Sequence, residues 1–367
     1  MTKQFAELGP LPLELGGRLP AVRLAYQTWG LPRRRSGRIV NAVLVLHALT
    51  GDAHVVGPAG PDQPTPGWWD GLIGPGLALD PDQVYVVAAN VLGGCQGSTG
   101  PASTAPDGRP WGSRFPRITV RDQVAAEVRL ADFLGLDRLV VIGGSMGGMR
   151  ALEWLAGRPE RVSAGLALAT SAAASADQIG TQSTQIAAIT ADPAWRGGDY
   201  HAGPAPVGGL GVARRIAHLT YRSAGELDTR FGRSPQAGED PYADGRFAVQ
   251  SYLDHQAAKL VRRFDAGSYV CLTDAMNTHD LGRGRGGLAA VLTRLETPLI
   301  AGAISTDRLY PVRLMQEIAE LAPGCEHFEV IESPYGHDGF LIEIDAVSAL
   351  VRRTLARAGV SGQPVSC

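Results

Sequence analysis

The chain of 367 residues is long enough to bury a full core and to hold one large domain with an insertion, or two domains. Hydrophobic residues make up 44% and charged residues 19%, which excludes a disordered chain, and a net charge of −2 gives no electrostatic basis for binding nucleic acid or an anionic membrane. The start, Met1-Thr2-Lys3-Gln4-Phe5-Ala6-Glu7, lacks the apolar core of a secretory signal, no apolar run reaches the ~18 residues of a membrane span, and Cys95, Cys271, Cys325 and Cys367 show no CxxC spacing, so a cytoplasmic protein with no disulfide framework and no metal site is expected.

In chain order, residues 22–28 alternate as an antiparallel edge strand would. Ala42–Leu46 and residues 84–88 are short continuous apolar runs, the pattern of parallel strands covered on both faces. Thr119 opens a helix with a capping-box arrangement to Asp122; Val120, Val124, Val128 and Leu134 follow at helical spacing and Gly135 ends it. Residues 139–142 form another apolar, β-branched run. It ends in Gly143-Gly144-Ser145-Met146-Gly147-Gly148, and a helical pattern to about Leu155 follows at once. A further buried strand is expected at 164–169. Beyond Thr170 the texture changes to Ser, Ala, Thr and Gln, then Gly and Pro, with mostly helical patterns to about Gly287. Strand character returns at 298–304 and 327–331, with a helix at Val312–Leu321 between them and a closing helix at about 340–357. The tail 358–367 is expected to fray. The simplest architecture is an α/β fold whose mostly parallel sheet is flanked by helices, with residues 1–171 and 291–367 as the core and 172–290 as an inserted, mainly helical lid.

The G-x-S-x-G turn between a strand and a helix lifts a serine to the top of a sheet, so Ser145 is the candidate nucleophile of an acyl transfer. Without that context the motif is a short pattern that chance produces in long chains. The N–H of Met146, at a helix N-terminus, can stabilise an oxyanion, and the N–H of Leu49, in the loop after 43–46, is the candidate second donor. His47, in the same loop, reads as structural.

Serine needs a base, and the base an orienting group; in α/β hydrolases these follow in the order Ser, Asp or Glu, His. Asp307 lies just past the strand at 298–304 and His337 just past the strand at 327–331, in that order. Asp307 read alone could cap the next helix, and His337 could be an ordinary loop histidine; both together, in register with Ser145, point to a triad.

Seven motifs carry a resemblance. They are His47-Ala48-Leu49-Thr50-Gly51-Asp52, Asn90-Val91-Leu92-Gly93-Gly94-Cys95-Gln96-Gly97-Ser98-Thr99-Gly100-Pro101, the Ser145 turn, Leu219-Thr220-Tyr221-Arg222-Ser223, Ser251-Tyr252-Leu253-Asp254-His255-Gln256, Arg262-Arg263-Phe264-Asp265 and Gly336-His337-Asp338. In this order, and over nearly the whole chain, they resemble the homoserine O-acetyltransferase family of α/β-hydrolase-fold acyltransferases. The resemblance implies an acetyl-Ser145 intermediate, acetyl-CoA as donor substrate, L-homoserine as acceptor in methionine synthesis, no permanently bound cofactor, and a homodimer through the lid. It also implies substrate-binding roles for Arg214, Tyr221 and Asp338: a guanidinium suits an α-carboxylate and a carboxylate suits an α-ammonium. Arg215 stands where relatives often carry an apolar residue, which leaves open whether Arg214 or Arg215 faces the site. Arg150 stands where many carry glutamine. Three rival readings remain: a succinyl donor or serine acceptor within the same family, an esterase-type hydrolase using water, and a non-catalytic protein on the same fold.

Overall fold

The computed structural model describes residues 2–61 and 63–360; Cys367 and the tail expected to fray beyond Val360 lie outside the described residues. Eight strands share one sheet: β1 (Gln4–Glu7), β2 (Arg23–Trp29), β3 (Ala42–Leu46), β4 (Tyr85–Ala89), β5 (Leu139–Gly144), β6 (Val162–Leu168), β7 (Leu299–Ile304) and β8 (Cys325–Ile331). Their spatial order is β1-β2-β4-β3-β5-β6-β7-β8. From β4 through β8 every pairing is parallel, and β2 runs antiparallel to both β1 and β4. The strand expected at 22–28 therefore lies second from the edge. The edge belongs to β1, whose four residues include only one buried side chain, Ala6, too little pattern to stand out as a strand.

Parallel strands alternate their side chains between the two faces, and here both faces are covered. Leu44, Leu46 and Val141 pack with α1 (Val120–Phe133), α2 (Met146–Gly157) and, through Met315 and Ile318, the helix Val312–Leu321. Val43, Val45 and Ile142 face Val347, Leu350 and Val351 of the closing helix Ile344–Arg357 on the other side. That helix is preceded by a separate short turn, Gly339–Ile342, so the segment expected to be one helix from 340 breaks at Glu343. Thr119 caps α1 in a full capping box with Asp122.

Between β6 and β7 the chain leaves the sheet and forms α3 (Ala176–Thr190), α4 (Val207–Tyr221), α5 (Ala224–Phe231), α6 (Ala248–Val261) and α7 (Ala266–Asn277). A third apolar cluster joins α3, α4, α6 and α7 to the strand ends. Leu210, Leu260, Tyr269 and Leu272 meet Leu49, Met146 and Tyr310 there. The helical segment is thus anchored over the carboxyl ends of the parallel strands, where α/β sheets hold their ligands. Among the described residues, no helix is long and apolar enough to cross a membrane, and no group of three or more His, Cys, Asp or Glu could hold a metal ion.

Candidate active site

Ser145 joins β5 to α2 at φ +56° and ψ −125°, a conformation L-residues rarely adopt, at a cost of ~1–3 kcal/mol. The surroundings force it. The Ser145 N–H donates to Leu168 O at 2.9 Å, and the Thr170 hydroxyl donates to Ser145 O at 2.8 Å. Both outer glycines of the motif are needed for close approach: a Cβ on Gly143 would lie 2.2 Å from Gly147 O, and one on Gly147 would lie 2.0 Å from Leu46 O. α2 therefore packs directly on the end of β3, which brings the serine beside the loop that follows β3.

The loops after β7 and β8 supply two partners. His337 Nε2 is 2.9 Å from Ser145 Oγ, and His337 Nδ1 is 2.6 Å from Asp307 Oδ2. In the tautomer that satisfies both contacts, Nδ1–H donates to Asp307 and Nε2 accepts from the serine hydroxyl. Asp307 Oδ1 accepts the N–H groups of Leu309 and Tyr310, each at 2.8 Å. It caps a turn rather than a helix, since the next helix begins at Val312 behind Pro311. Tyr310 stacks on the His337 ring at 5.0 Å between centroids, and Phe340 meets it edge-on at 5.3 Å. All three polar side chains are buried. A serine so placed can pass its proton to the imidazole, and the carboxylate can stabilise the resulting charge.

These groups open onto a cavity of about 210 Å³, whose lining includes Ala48, Leu49, Ser145, Arg214, Tyr221 and Asp338. A larger cavity of about 550 Å³, bordered by Glu7, Arg23 and Trp111, includes none of them. Met146 is the first residue of α2, so its N–H has no carbonyl within the helix to receive it. His47 is fully buried: its Nε2 accepts the Val91 N–H at 3.0 Å and its Nδ1 donates to Ala48 O at 2.7 Å. Burial, reinforced by Arg150, pulls its pKa down to about 3, so the ring is neutral.

Arg214 forms no ion pair among the described residues. Its guanidinium lies 5.5 Å over the Tyr221 ring, Nη1 is 3.4 Å from Thr50 Oγ1, and Nε is buried without a hydrogen bond. Arg215 instead pairs with Asp254 of α6 and does not line the cavity, which leaves Arg214 as the arginine facing the site. Asp338 Oδ2 is 3.3 Å from Arg222 Nη1. Burial pushes the Asp338 carboxyl pKa up, against the opposing pull of His337, Arg222 and Arg214, and burial likewise raises the Tyr221 phenol.

The α/β hydrolase fold family matches residues 41–343. A homoserine O-acetyltransferase of Thermobifida fusca (strain YX) is 63% identical over 360 residues, covering 97% of this chain and 94% of the relative. The chain belongs to the homoserine O-acetyltransferase family. Among solved structures, homoserine O-acetyltransferase from Bacillus anthracis is similar at a TM-score of 0.87 and 26% identity, covering 96% of this chain and 97% of that one. An acetylester hydrolase from Corynebacterium glutamicum is similar at 0.80 and 26%, covering 97% and 96%.

In this member of the homoserine O-acetyltransferase family, Leu49, Ser145, Arg214, Tyr221, His337 and Asp338 line one cavity, while Asp307 lies behind His337 and Met146 follows Ser145 without lining it. The sequence reading missed His218, which lines the same cavity one helical turn after Arg214. Arg214, His218 and Tyr221 fall at i, i+4 and i+7, so the signal was present in the helical spacing. Burial, with Arg214, Arg222 and Lys259 nearby, pulls the His218 pKa down to about 2 and keeps the ring neutral. Cys95 is a packed thiol, pushed up to about 12 by burial.

Proposed function

We propose that this protein transfers an acetyl group from acetyl-CoA to the hydroxyl of L-homoserine through an acetyl-Ser145 intermediate. One observation carries the reading: Ser145 and His337, with Asp307 behind the histidine, share a small cavity with Arg214, a guanidinium that forms no ion pair among the described residues, and Asp338, a half-buried carboxylate. The serine–histidine–aspartate line performs acyl transfer; the guanidinium and the carboxylate match the carboxylate and ammonium of an amino acid.

In the first half-reaction Ser145 Oγ attacks the thioester carbonyl as His337 Nε2 takes its proton. The tetrahedral oxyanion is met by the N–H groups of Leu49 and Met146. Collapse expels the coenzyme A thiolate, which recovers the proton from His337, and leaves acetyl-Ser145. In the second, His337 takes the proton of the homoserine hydroxyl, whose oxygen attacks the acetyl carbonyl. Collapse returns the proton to Ser145 and releases O-acetyl-L-homoserine. Asp307 holds the imidazole tautomer throughout. Arg214, with Tyr221 packed beneath it, and Asp338 hold the acceptor. The helices between residues 172 and 290 act as a lid over a core of 1–171 and 291–367, since α4 forms one wall of the cavity.

Hydrolysis is the second reading, because the similar acetylester hydrolase structure shows that the fold accommodates water as acceptor. The amino-acid-sized polar wall favours transfer. Acetyl is favoured over succinyl because a second carboxylate would need a cation of its own. Arg150 is paired with Glu127, Arg215 with Asp254, and Arg263 donates to Thr50 O. Thiol release, measured with acetyl-CoA against succinyl-CoA and with homoserine, serine or no acceptor, tests the proposal. We expect parallel double-reciprocal lines, O-acetyl-homoserine as product, and at least ~10-fold preference for acetyl-CoA. Free acetate formed equally fast without acceptor would establish the hydrolase; higher kcat/KM with succinyl-CoA would overturn the donor.

A further inference from the structure

In the loop that carries Leu49, the carbonyls of His47, Ala48 and Thr50 are each held by a donor. Ala48 O accepts from His47 Nδ1 at 2.7 Å and from the Gly51 N–H at 2.9 Å. A trans peptide points its N–H opposite to its C=O, so with the Ala48 carbonyl turned back into its own loop the Leu49 N–H faces the other way, toward the cavity that Leu49 shares with Ser145. The flanking carbonyls are held from two directions. His47 O accepts from Arg150 Nη2, which rises from α2, and Thr50 O accepts from Arg263 Nη1 at 2.8 Å, which descends from the connection between α6 and α7.

We propose that Arg150 and Arg263 are positioning residues that clamp the 47–50 loop with the Leu49 N–H presented to Ser145, so that this oxyanion donor is in place only while the helical segment is docked. The inference rests on the reading of Ser145 as the nucleophile given above.

Neither arginine is well explained as a stabilising element. Arg150 is fully buried, its Nη1 pairs with Glu127 of α1, and Glu127 is shared with Trp154 Nε1 at 2.9 Å, yet Arg150 Nε has no partner. A buried ion pair with an unmet donor is a poor source of stability compared with apolar packing. What it supplies is a rigid donor at the His47 carbonyl, on the same helix that carries Ser145. Arg263 is desolvated and lies near Arg214, both of which oppose its charge, with Asp52 the carboxylate that favours it. Its backbone is braced in turn, since Gln96 Nε2 donates to Arg263 O at 2.5 Å. Gln96 holds a left-handed φ of +62° within the Gly93–Gly97 motif, which gives that glycine-rich stretch a task the transfer reaction alone did not assign.

The test uses the full chain with Arg263→Met, Arg263→Lys and the double variant Glu127→Gln with Arg150→Met, which strands no buried carboxylate. Single-turnover thiol release from acetyl-CoA is measured per titrated active site, together with the affinity for coenzyme A and for an alkylboronic acid, whose adduct on Ser145 puts an oxygen where the oxyanion forms. Arg263→Met and the double variant are expected to lower acylation about 10- to 100-fold and to weaken the boronic acid by a similar factor. Coenzyme A affinity should stay within about threefold, and Arg263→Lys should recover most of the loss. Unchanged acylation per active site, or coenzyme A and boronic acid weakening together, would overturn the clamp. Ser145→Ala is run alongside: if it still releases thiol, the nucleophile reading itself fails; if it is silent, the result on the arginines stands alone.

Discussion

The two walls of the cavity are built in opposite ways. On one, polar atoms meet close partners: Asp307 accepts two backbone N–H groups and the His337 ring, and His337 reaches Ser145. On the other, Arg214 forms no ion pair among the described residues, its Nε and the Nε2 of His218 lack hydrogen bonds, and the Asp338 carboxyl is pushed up by burial. The hydrogen-bonded relay on the first wall is in place before any substrate arrives, which is what preorganised catalysis requires. The second is only partly satisfied: Asp338 is paired with Arg222 and Arg214 reaches Thr50 Oγ1, but Arg214 Nε and His218 Nε2 have no partner, and the fixed charges of a zwitterionic acceptor would complement it. Buried polar groups without partners cost stability, so the free protein carries a local penalty on the acceptor side that binding can relieve.

Loss of the nucleophile gives the largest effect. Ser145→Ala should reduce transfer by on the order of 10⁴-fold or more while the chain stays folded. Retention of more than about a tenth of the activity would remove the covalent intermediate from the scheme. The strained backbone adds a second readout. Ser145→Gly should be equally inactive but about 1 kcal/mol more stable than Ser145→Ala in denaturant titrations, because glycine accepts φ +56° without strain.

Next comes the orienting carboxylate. Asp307→Asn keeps the size of the side chain but disturbs the tautomer of His337 and should lower turnover about 10²- to 10⁴-fold in both half-reactions. Near-normal rates would transfer the orienting role to another carboxylate, with Asp338 tested first.

The contrast between the walls is broken most directly at Arg214. Arg214→Ala should cost the acceptor step about 2–5 kcal/mol, as for a charged group losing its partner, and leave single-turnover acylation by acetyl-CoA within about threefold. Stopped-flow acylation and steady-state transfer separate the two. Equal losses in both would mean that the acceptor wall also serves the donor.

The relay wall was legible in the sequence, and the acceptor wall only partly so. Ser145, Asp307 and His337 each follow a short apolar run at the end of a strand, and local pattern is enough to place such loops on one side of a parallel sheet. His218 was missed because a lone histidine in a Gly- and Ala-rich helix carries little signal of its own, even on the face that Arg214 and Tyr221 share. Strand β1 was missed because Phe5 is exposed and only pairing with β2 makes it a strand. Arg150 would pass for an ordinary helix-surface arginine; what buries it is Glu127, which lies 23 residues earlier in the chain and is brought to it only by the packing of α1 on α2. Contacts of this kind have no local signature.

The smallest effect belongs to Arg215, the immediate neighbour of Arg214. The two share composition, helix and charge, so sequence alone left open which of them meets substrate. Their surroundings differ. Arg215 is about one-third exposed and pairs with Asp254, which also receives Arg246 at 3.2 Å. Its loss therefore leaves Asp254 with a cation and removes nothing from the cavity. Arg215→Ala should keep kcat and the KM for homoserine within about twofold, the scale of an ordinary surface substitution. Measured beside Arg214→Ala, it isolates the position of the charge from its presence on α4. If Arg215→Ala raised the KM for homoserine as strongly as Arg214→Ala, the acceptor would be held by the field of the helix rather than by one directed guanidinium, and the distinction between a satisfied and a partly satisfied wall would no longer rest on Arg214.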